Sequence, residues 1–186
     1  MPFEIQNKEI PDIKVIEVKS FNDNRGYFQE TYKKSSFYDI GIKLDFVQDN
    51  HSFSVKNTLR GLHFQKCPHE QGKLVSVISG KIMDVAVDLR SNSMYYKQYV
   101  YEILSDKNNK MLWIPPGFAH GFLALEDSHV IYKVTDEFDK NSECGIVWND
   151  KEISVKWVVD SPIMSEKDLK LPMLKDIEKD LKSTWS

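Results

Sequence analysis

Between Lys73 and Val134 the sequence is a succession of short apolar-rich runs with nothing between them long enough to be a helix. Lys73-Leu-Val-Ser-Val-Ile-Ser, Lys81-Ile-Met-Asp-Val-Ala-Val-Asp-Leu, Tyr99-Val-Tyr-Glu-Ile-Leu, Met111-Leu-Trp-Ile, Gly121-Phe-Leu-Ala-Leu and His129-Val-Ile-Tyr-Lys-Val are each of strand length. The first two meet at Gly80, a hairpin signal. Turn residues separate the others, at Ser105-Asp-Lys-Asn-Asn, Pro115-Pro-Gly and Glu126-Asp-Ser. So many strands without helical spacers predict an all-β chain folded as an antiparallel sandwich or barrel, and they argue against a doubly wound sheet.

The flanks fit that class. Ile13 to Val18 alternates as a strand does, and Phe21-Asn22-Asp23-Asn24-Arg25-Gly26 reads as a turn into a strand over 27–32. A short helix is expected from Ser35 to Ile40, with Ser35 or Ser36 as N-cap and Gly41 as its stop. Gln48, Asn50 and Ser52 share one parity, so one strand face carries three hydrogen-bonding side chains; such a face is wet or ligand-bound. In Leu59-Arg60-Gly61-Leu62-His63-Phe64-Gln65, strict alternation sends Arg60 and His63 to opposite faces. One of them then enters a polar interior, or His63 is a core residue and Arg60 a surface one. Near the end, Ser165 is a candidate N-cap, and Leu174, Ile177 and Leu181 mark an amphipathic helix.

The length of 186 residues, 41% of them hydrophobic, suits one domain spanning 1–186 with a sizeable core. Its 25 basic and 28 acidic residues are interspersed, so the basic stripe of a nucleic-acid binder is missing. Cys67 and Cys144 lie far apart in no paired motif, which fits reduced thiols and a cytoplasmic setting. No secretory leader is expected from the opening residues, and no apolar run approaches the ~20 residues that cross a bilayer, so no membrane partner is expected.

Two patterns bear on which barrel this is. Ile114-Pro115-Pro116-Gly117-Phe118-Ala119-His120 resembles the second half of the cupin signature, with its inward His after a Pro-x-Gly turn. The stretch from Gly61 to Gly80 resembles the first half, with His63 present and Gln65 where a second His would stand. A cupin metal needs about three or four N/O ligands, and His63 and His120 supply two, so no metal is expected. Together with Phe21-x-Asp23-x-Arg25-Gly26-x-Phe28-x-Glu30, Phe46-Val47-Gln48-Asp49-Asn50, Leu59 to Gln65, Gln71-Gly72-Lys73-Leu74-Val75 and Asp84 to Arg90, the chain resembles the dTDP-4-dehydrorhamnose 3,5-epimerase family from about Phe21 to Asp168.

That resemblance implies a cupin-type antiparallel barrel or jelly roll with a short N-terminal helix and a C-terminal helical segment. It implies a cofactor-independent epimerase acting on a dTDP-linked 4-keto-6-deoxy sugar, whose C3 and C5 protons are acidified by the ketone. His63 resembles the family's general base, Asp168 its carboxylate partner, Lys73 the cation beside the enolate oxygen and Tyr132 the general acid. Without the resemblance, Asp168 reads as a helix-cap carboxylate, Tyr132 as one more strand aromatic and Lys73 as a solvated strand end. Arg25 and Arg60 resemble the diphosphate ligands, and Glu30, Gln48, Asp49, Asn50, His120, Glu143 and Lys167 fall where the family contacts nucleotide or sugar. Phe138 stands where the family commonly has a Tyr stacked on thymine; the π-face is kept and the hydroxyl is lost. A homodimer is expected, with the N-terminal strands and Arg25 reaching the neighbour's barrel. A mono-epimerase at C3 or C5, a ketoisomerase, or a cupin that binds a nucleotide sugar without turning it over remain open from the sequence.

Overall fold

The computed structural model describes residues 3–184; of the span 1–186 expected to form one unit, residues 1, 2, 185 and 186 lie outside the described residues. In chain order the elements are β1 (Phe3–Asn7), β2 (Lys14–Val18), β3 (Ser20–Asp23), β4 (Gly26–Gln29), α1 (Lys34–Asp39), β5 (Gln48–Ser54), β6 (Leu59–Gln65) and β7 (Lys73–Ser79). They continue with β8 (Lys81–Asp88), β9 (Tyr99–Ser105), β10 (Lys110–Ile114), β11 (Phe118–Ala124), β12 (Ser128–Val134), β13 (Glu143–Gly145), α2 (Glu166–Leu169) and α3 (Leu174–Thr184). Among the described residues the strands form a six-stranded sheet in the order β1-β2-β10-β7-β12-β5, a five-stranded sheet in the order β13-β6-β11-β8-β9, and a separate β3-β4 ribbon. The antiparallel sandwich or barrel expected from the strand succession, and the jelly roll implied by the resemblance, match the architecture observed.

The two large sheets face each other across a core of Val15, Val75, Val77 and Val130 from one and Ile82, Ala86, Leu104, Phe118 and Phe122 from the other. This sandwich corrects the hairpin expected at Gly80. β7 and β8 are not neighbours in one sheet; Gly80, at φ +91°, turns the chain from the first sheet to the second. Both runs have an apolar inward face, and stacking those faces buries more apolar surface than pairing the strands edge to edge.

Each sheet is also covered on its outer face. Leu74, Met111 and Trp113 pack under Phe3, Phe37 and Ile42. Neither Ser35 nor Ser36 caps α1, whose N-cap is Lys33 without a side-chain hydrogen bond; the burial of Phe37 holds the helix instead. Its stop is as expected, with Gly41 at φ +87° and the Gly41 and Ile42 amides donating back to Tyr38 and Phe37 carbonyls. The first strand pair also differs from expectation: residues 20–23 are already strand, the turn is at Asn24 and Arg25, and the second strand ends at Gln29.

The C-terminal segment wraps the outer face of the five-stranded sheet, where Leu174 and Leu181 are fully buried against Leu59, Leu62, Val85 and Leu123. Just before α2 the Leu59 amide donates to the Ile163 carbonyl, and the Ile163 amide to the Asn57 carbonyl. Those two bonds pin the start of α2 to the start of β6.

Candidate active site

The site begins with an irregularity in β6. Opposite β11, Phe122 pairs with Arg60 and His120 with His63, so three steps on β6 match two on β11. The extra residue is a β-bulge at Gly61, whose φ of +108° suits glycine. Close approach requires it as well: a Cβ there would lie 2.6 Å from the His120 carbonyl oxygen and 2.7 Å from the Gly121 Cα. The bulge reverses the alternation, so Arg60 and His63 share the inward face while Leu59, Leu62 and Phe64 share the outer one. Strict alternation had placed Arg60 and His63 on opposite faces.

His63 Nε2 lies 2.7 Å from Asp168 Oδ1. Asp168 is only 4% exposed, in the first turn of α2, where its amide donates to Ser165 Oγ at 3.0 Å; the Gly61 amide lies 3.4 Å from its Oδ2. Burial works against the Asp168 charge, but the His63 hydrogen bond and charge, with the Gly61 amide and Ser165, outweigh it and hold the carboxyl below its ordinary range. An ionised carboxylate only accepts, so Nε2 carries the hydrogen and Nδ1 is left as the basic nitrogen.

The facing wall belongs to the six-stranded sheet. Lys73 on β7 is buried, and its Nζ donates to the His63 carbonyl oxygen at 3.4 Å. Burial pushes its pKa down to about 8, against the pull of Asp84 and Glu143. Tyr132 on β12 has its phenol raised by burial, partly offset by the Arg60 charge, so it holds its proton at neutral pH.

These groups line a cleft with two communicating parts. One, of about 330 Å³, is bordered by Gln48, Asn50, Gln65, Gln71, Phe138 and Glu143 together with His63, Lys73 and Tyr132. The other, of about 270 Å³, shares those last three and adds Ser52, Arg60, His120, Lys167 and Asp168. His63 and Tyr132 thus enter one space from opposing sheets. Gln48 links the rim, donating to Asn50 Oδ1 at 2.8 Å and accepting from the Phe138 amide at 3.0 Å. Across the mouth Lys167 Nζ and Glu143 Oε1 are 2.5 Å apart. Deeper, His120 Nε2 donates to Asp84 Oδ1 at 2.6 Å.

Three of the residues expected at the site lie elsewhere in this chain. Arg25 sits at the β3-β4 turn with its side chain 85% exposed, paired with Asp23 at 2.6 Å. Glu30 follows that ribbon and lines neither part of the cleft. Asp49 has the outward parity on β5, between inward Gln48 and Asn50, and pairs with Lys133 at 2.9 Å. Conversely, Gln71 and Asp84 were not among the candidates, whereas Ser52, read with Gln48 and Asn50 on a wet or ligand-bound face, does line the cleft. Asp84 had a signal, since Asp84, Ala86 and Asp88 share one parity in an apolar strand, and a carboxylate on that face needs a use.

Comparison with known proteins gives a consistent picture. A family model described as dTDP-4-dehydrorhamnose 3,5-epimerase matches residues 7–176. A protein of that name from Shigella flexneri is 47% identical over 163 residues, 87% of this chain and 90% of its own. The crystal structure of dTDP-6-deoxy-D-glucose-3,5-epimerase from Legionella pneumophila, in complex with dTDP-4-keto-L-rhamnose, superposes with a TM-score of 0.92 at 41% identity, covering 96% of each chain. The dTDP-4-dehydrorhamnose 3,5-epimerase from Bacillus anthracis with TDP and PPi bound has a TM-score of 0.90 at 44% identity, covering 92% of this chain and 99% of its own.

Proposed function

Because the chain belongs to the dTDP-4-dehydrorhamnose 3,5-epimerase family, we propose that its cleft inverts C3 and C5 of dTDP-4-keto-6-deoxy-D-glucose to give dTDP-4-keto-L-rhamnose, a step of dTDP-L-rhamnose biosynthesis. The reaction needs no cofactor, since the 4-ketone itself acidifies both positions. His63 Nδ1 removes the proton, and Asp168, hydrogen-bonded to Nε2, steadies the imidazolium that forms. The electron pair moves onto the ketone oxygen, where the Lys73 ammonium meets the developing charge. Tyr132 delivers a proton to the opposite face of the ring, and solvent exchange resets both groups.

The observation that carries this reading is the entry of the His63–Asp168 pair and of Tyr132 into one cleft from facing sheets. Pure binding calls for no base and acid on opposite sides of a ring. Further support comes from the Legionella relative, whose structure holds dTDP-4-keto-L-rhamnose. Arg60 serves the diphosphate, Phe138 stacks on the base, and Gln48, Asn50, His120, Glu143 and Lys167 hold nucleotide and sugar. We read 1–186 as one cytoplasmic domain; no helix among the described residues is long and apolar enough to cross a membrane. Arg25 and Glu30 reach a cleft only as part of a homodimer, across the interface.

Proton NMR of the product formed from dTDP-4-keto-6-deoxyglucose in D₂O tests the reading. Deuterium at both C3 and C5 is expected. Deuterium at one position makes the protein a mono-epimerase, and deuterium at neither removes the enzymatic function.

A further inference from the structure

Lys73 and Asp84, both buried near the cleft, are short of the partners that burial demands. Lys73 Nζ makes one long contact, to a carbonyl at 3.4 Å, and no ion pair among the described residues. Asp84, on β8 in the facing sheet, is fully buried; Oδ1 accepts from His120, and Oδ2 has no hydrogen-bond partner. A buried charge left alone is costly, and it persists where an opposite charge offsets it.

The other ionisable groups around Lys73 are already engaged. Asp168 on α2 is committed to His63 of β6, and Glu143 on β13 to Lys167 at the mouth. Arg60 on β6 is itself cationic, and Tyr132 on β12 keeps its proton. His120 on β11 is pushed down by burial, against the charge and hydrogen bond of Asp84, so it is a neutral donor. A neutral imidazole orients the Asp84 carboxylate without cancelling its charge.

Resting on the epimerase reading above, we propose that Asp84 is a positioning residue of the reaction: held by His120, its carboxylate is the buried counter-charge that keeps Lys73 an ammonium beside the sugar's developing enolate oxygen. Asp84 touches no reacting atom and acts through Lys73. Of the two negative groups that oppose the effect of burial on Lys73, Asp84 is the larger, ahead of Glu143. His120, which holds Asp84, lines the same part of the cleft as Lys73, and no salt bridge joins Asp84 to Lys73 among the described residues, so the ammonium stays free to meet substrate.

The test is the pH dependence of Asp84→Asn. The amide keeps the shape and an oxygen for His120 and removes the charge, so the alkaline limb of kcat should move to lower pH by about one unit or more, the usual effect of a nearby opposite charge. With Lys73 starting from about 8, turnover relative to the native protein should then fall about threefold further at pH 7.5 than at pH 6, with KM changing less than kcat. NMR titration of the Lys73 side chain in both proteins should show the same displacement directly. An unmoved alkaline limb in a folded Asp84→Asn protein, or an equal loss at every pH, would assign Asp84 to packing and overturn the proposal. Should Asp84→Asn fail to fold, Asp84→Ser carries the same comparison, and failure of both to fold also assigns the residue to the fold. Failure of the epimerase reading shows separately, as absence of deuterium exchange by the native protein.

Discussion

An imidazole and a phenol on opposing walls of one cleft should fail in different ways when each is removed. His63→Asn leaves no base, so neither solvent exchange nor inversion should occur. Tyr132→Phe keeps the base and the Lys73 charge, so the enolate still forms, and the imidazolium, exchanged with solvent, returns deuterium to the original face. That variant should wash deuterium into the substrate with retained configuration while product formation falls by about 10²–10⁴-fold. Wash-in at the native rate by His63→Asn, or near-normal epimerisation by Tyr132→Phe, would show the roles to be wrong. Lys73 adds a pH dependence. Burial depresses its pKa to about 8, so it is cationic below that pH and neutral above it. Activity that depends on the cation should fall as pH rises through about 8, and a kcat profile flat to pH 10 would exclude this role.

One backbone element decides whether Arg60 and His63 serve the same space. Without the bulge at Gly61, β6 would alternate strictly and present only one of the two to the cleft. Gly61→Ala places a Cβ 2.6 Å from the His120 carbonyl and demands a positive φ from an L side chain. The expected cost is about 1–3 kcal/mol, a fall in Tm of about 3–10 °C, with catalysis reduced further because the Asp168 contact to the Gly61 amide shifts as well. Thermal denaturation beside kcat measures both, and an unchanged Tm would mean that the sheet absorbs the residue elsewhere. At Gly80 the corner between sheets is another element that alternation did not disclose. A glycine between two strands is compatible with a hairpin and with a sheet-to-sheet turn, and only the packing of Val75 and Val77 on Ile82 and Ala86 chooses between them.

The molecule as a whole leaves its β3-β4 ribbon outside both large sheets, with Tyr27 64% and Phe28 69% exposed. A two-stranded ribbon is marginal by itself, and aromatic side chains this exposed call for cover. A second copy would provide it and bring Arg25 to a neighbouring cleft. Sedimentation at micromolar concentration should give a dimer, and the double substitution Tyr27→Ser with Phe28→Ser should shift it towards monomer and lower activity together. A fully active native monomer would refute this assembly. Turnover should also survive exhaustive chelation, since the histidines inside are each held by a carboxylate, His63 by Asp168 and His120 by Asp84. Activity lost in EDTA and restored by one divalent ion would replace the proposed mechanism.

Local chemistry determined what the sequence could state unaided. Alternation and turn residues specify the strands, so the all-β antiparallel class, the polar face of Gln48, Asn50 and Ser52, the Ser165 cap and the buried side of α3 were all legible, because each depends on neighbours a few residues away. The resemblance supplied roles for His63, Lys73, Tyr132 and Asp168, which spacing could not. Tertiary structure decided what depends on distant partners. The His63–Asp168 contact joins residues 105 apart in the chain and forms because the C-terminal segment is pinned to the start of β6. The bulge that aligns Arg60 with His63 arises from the close approach of two strands. The isolation of Arg25 and the unpaired oxygen of Asp84 follow from how whole sheets pack. A period of two records which face a residue would take, but the closure of the sandwich determines what waits on that face.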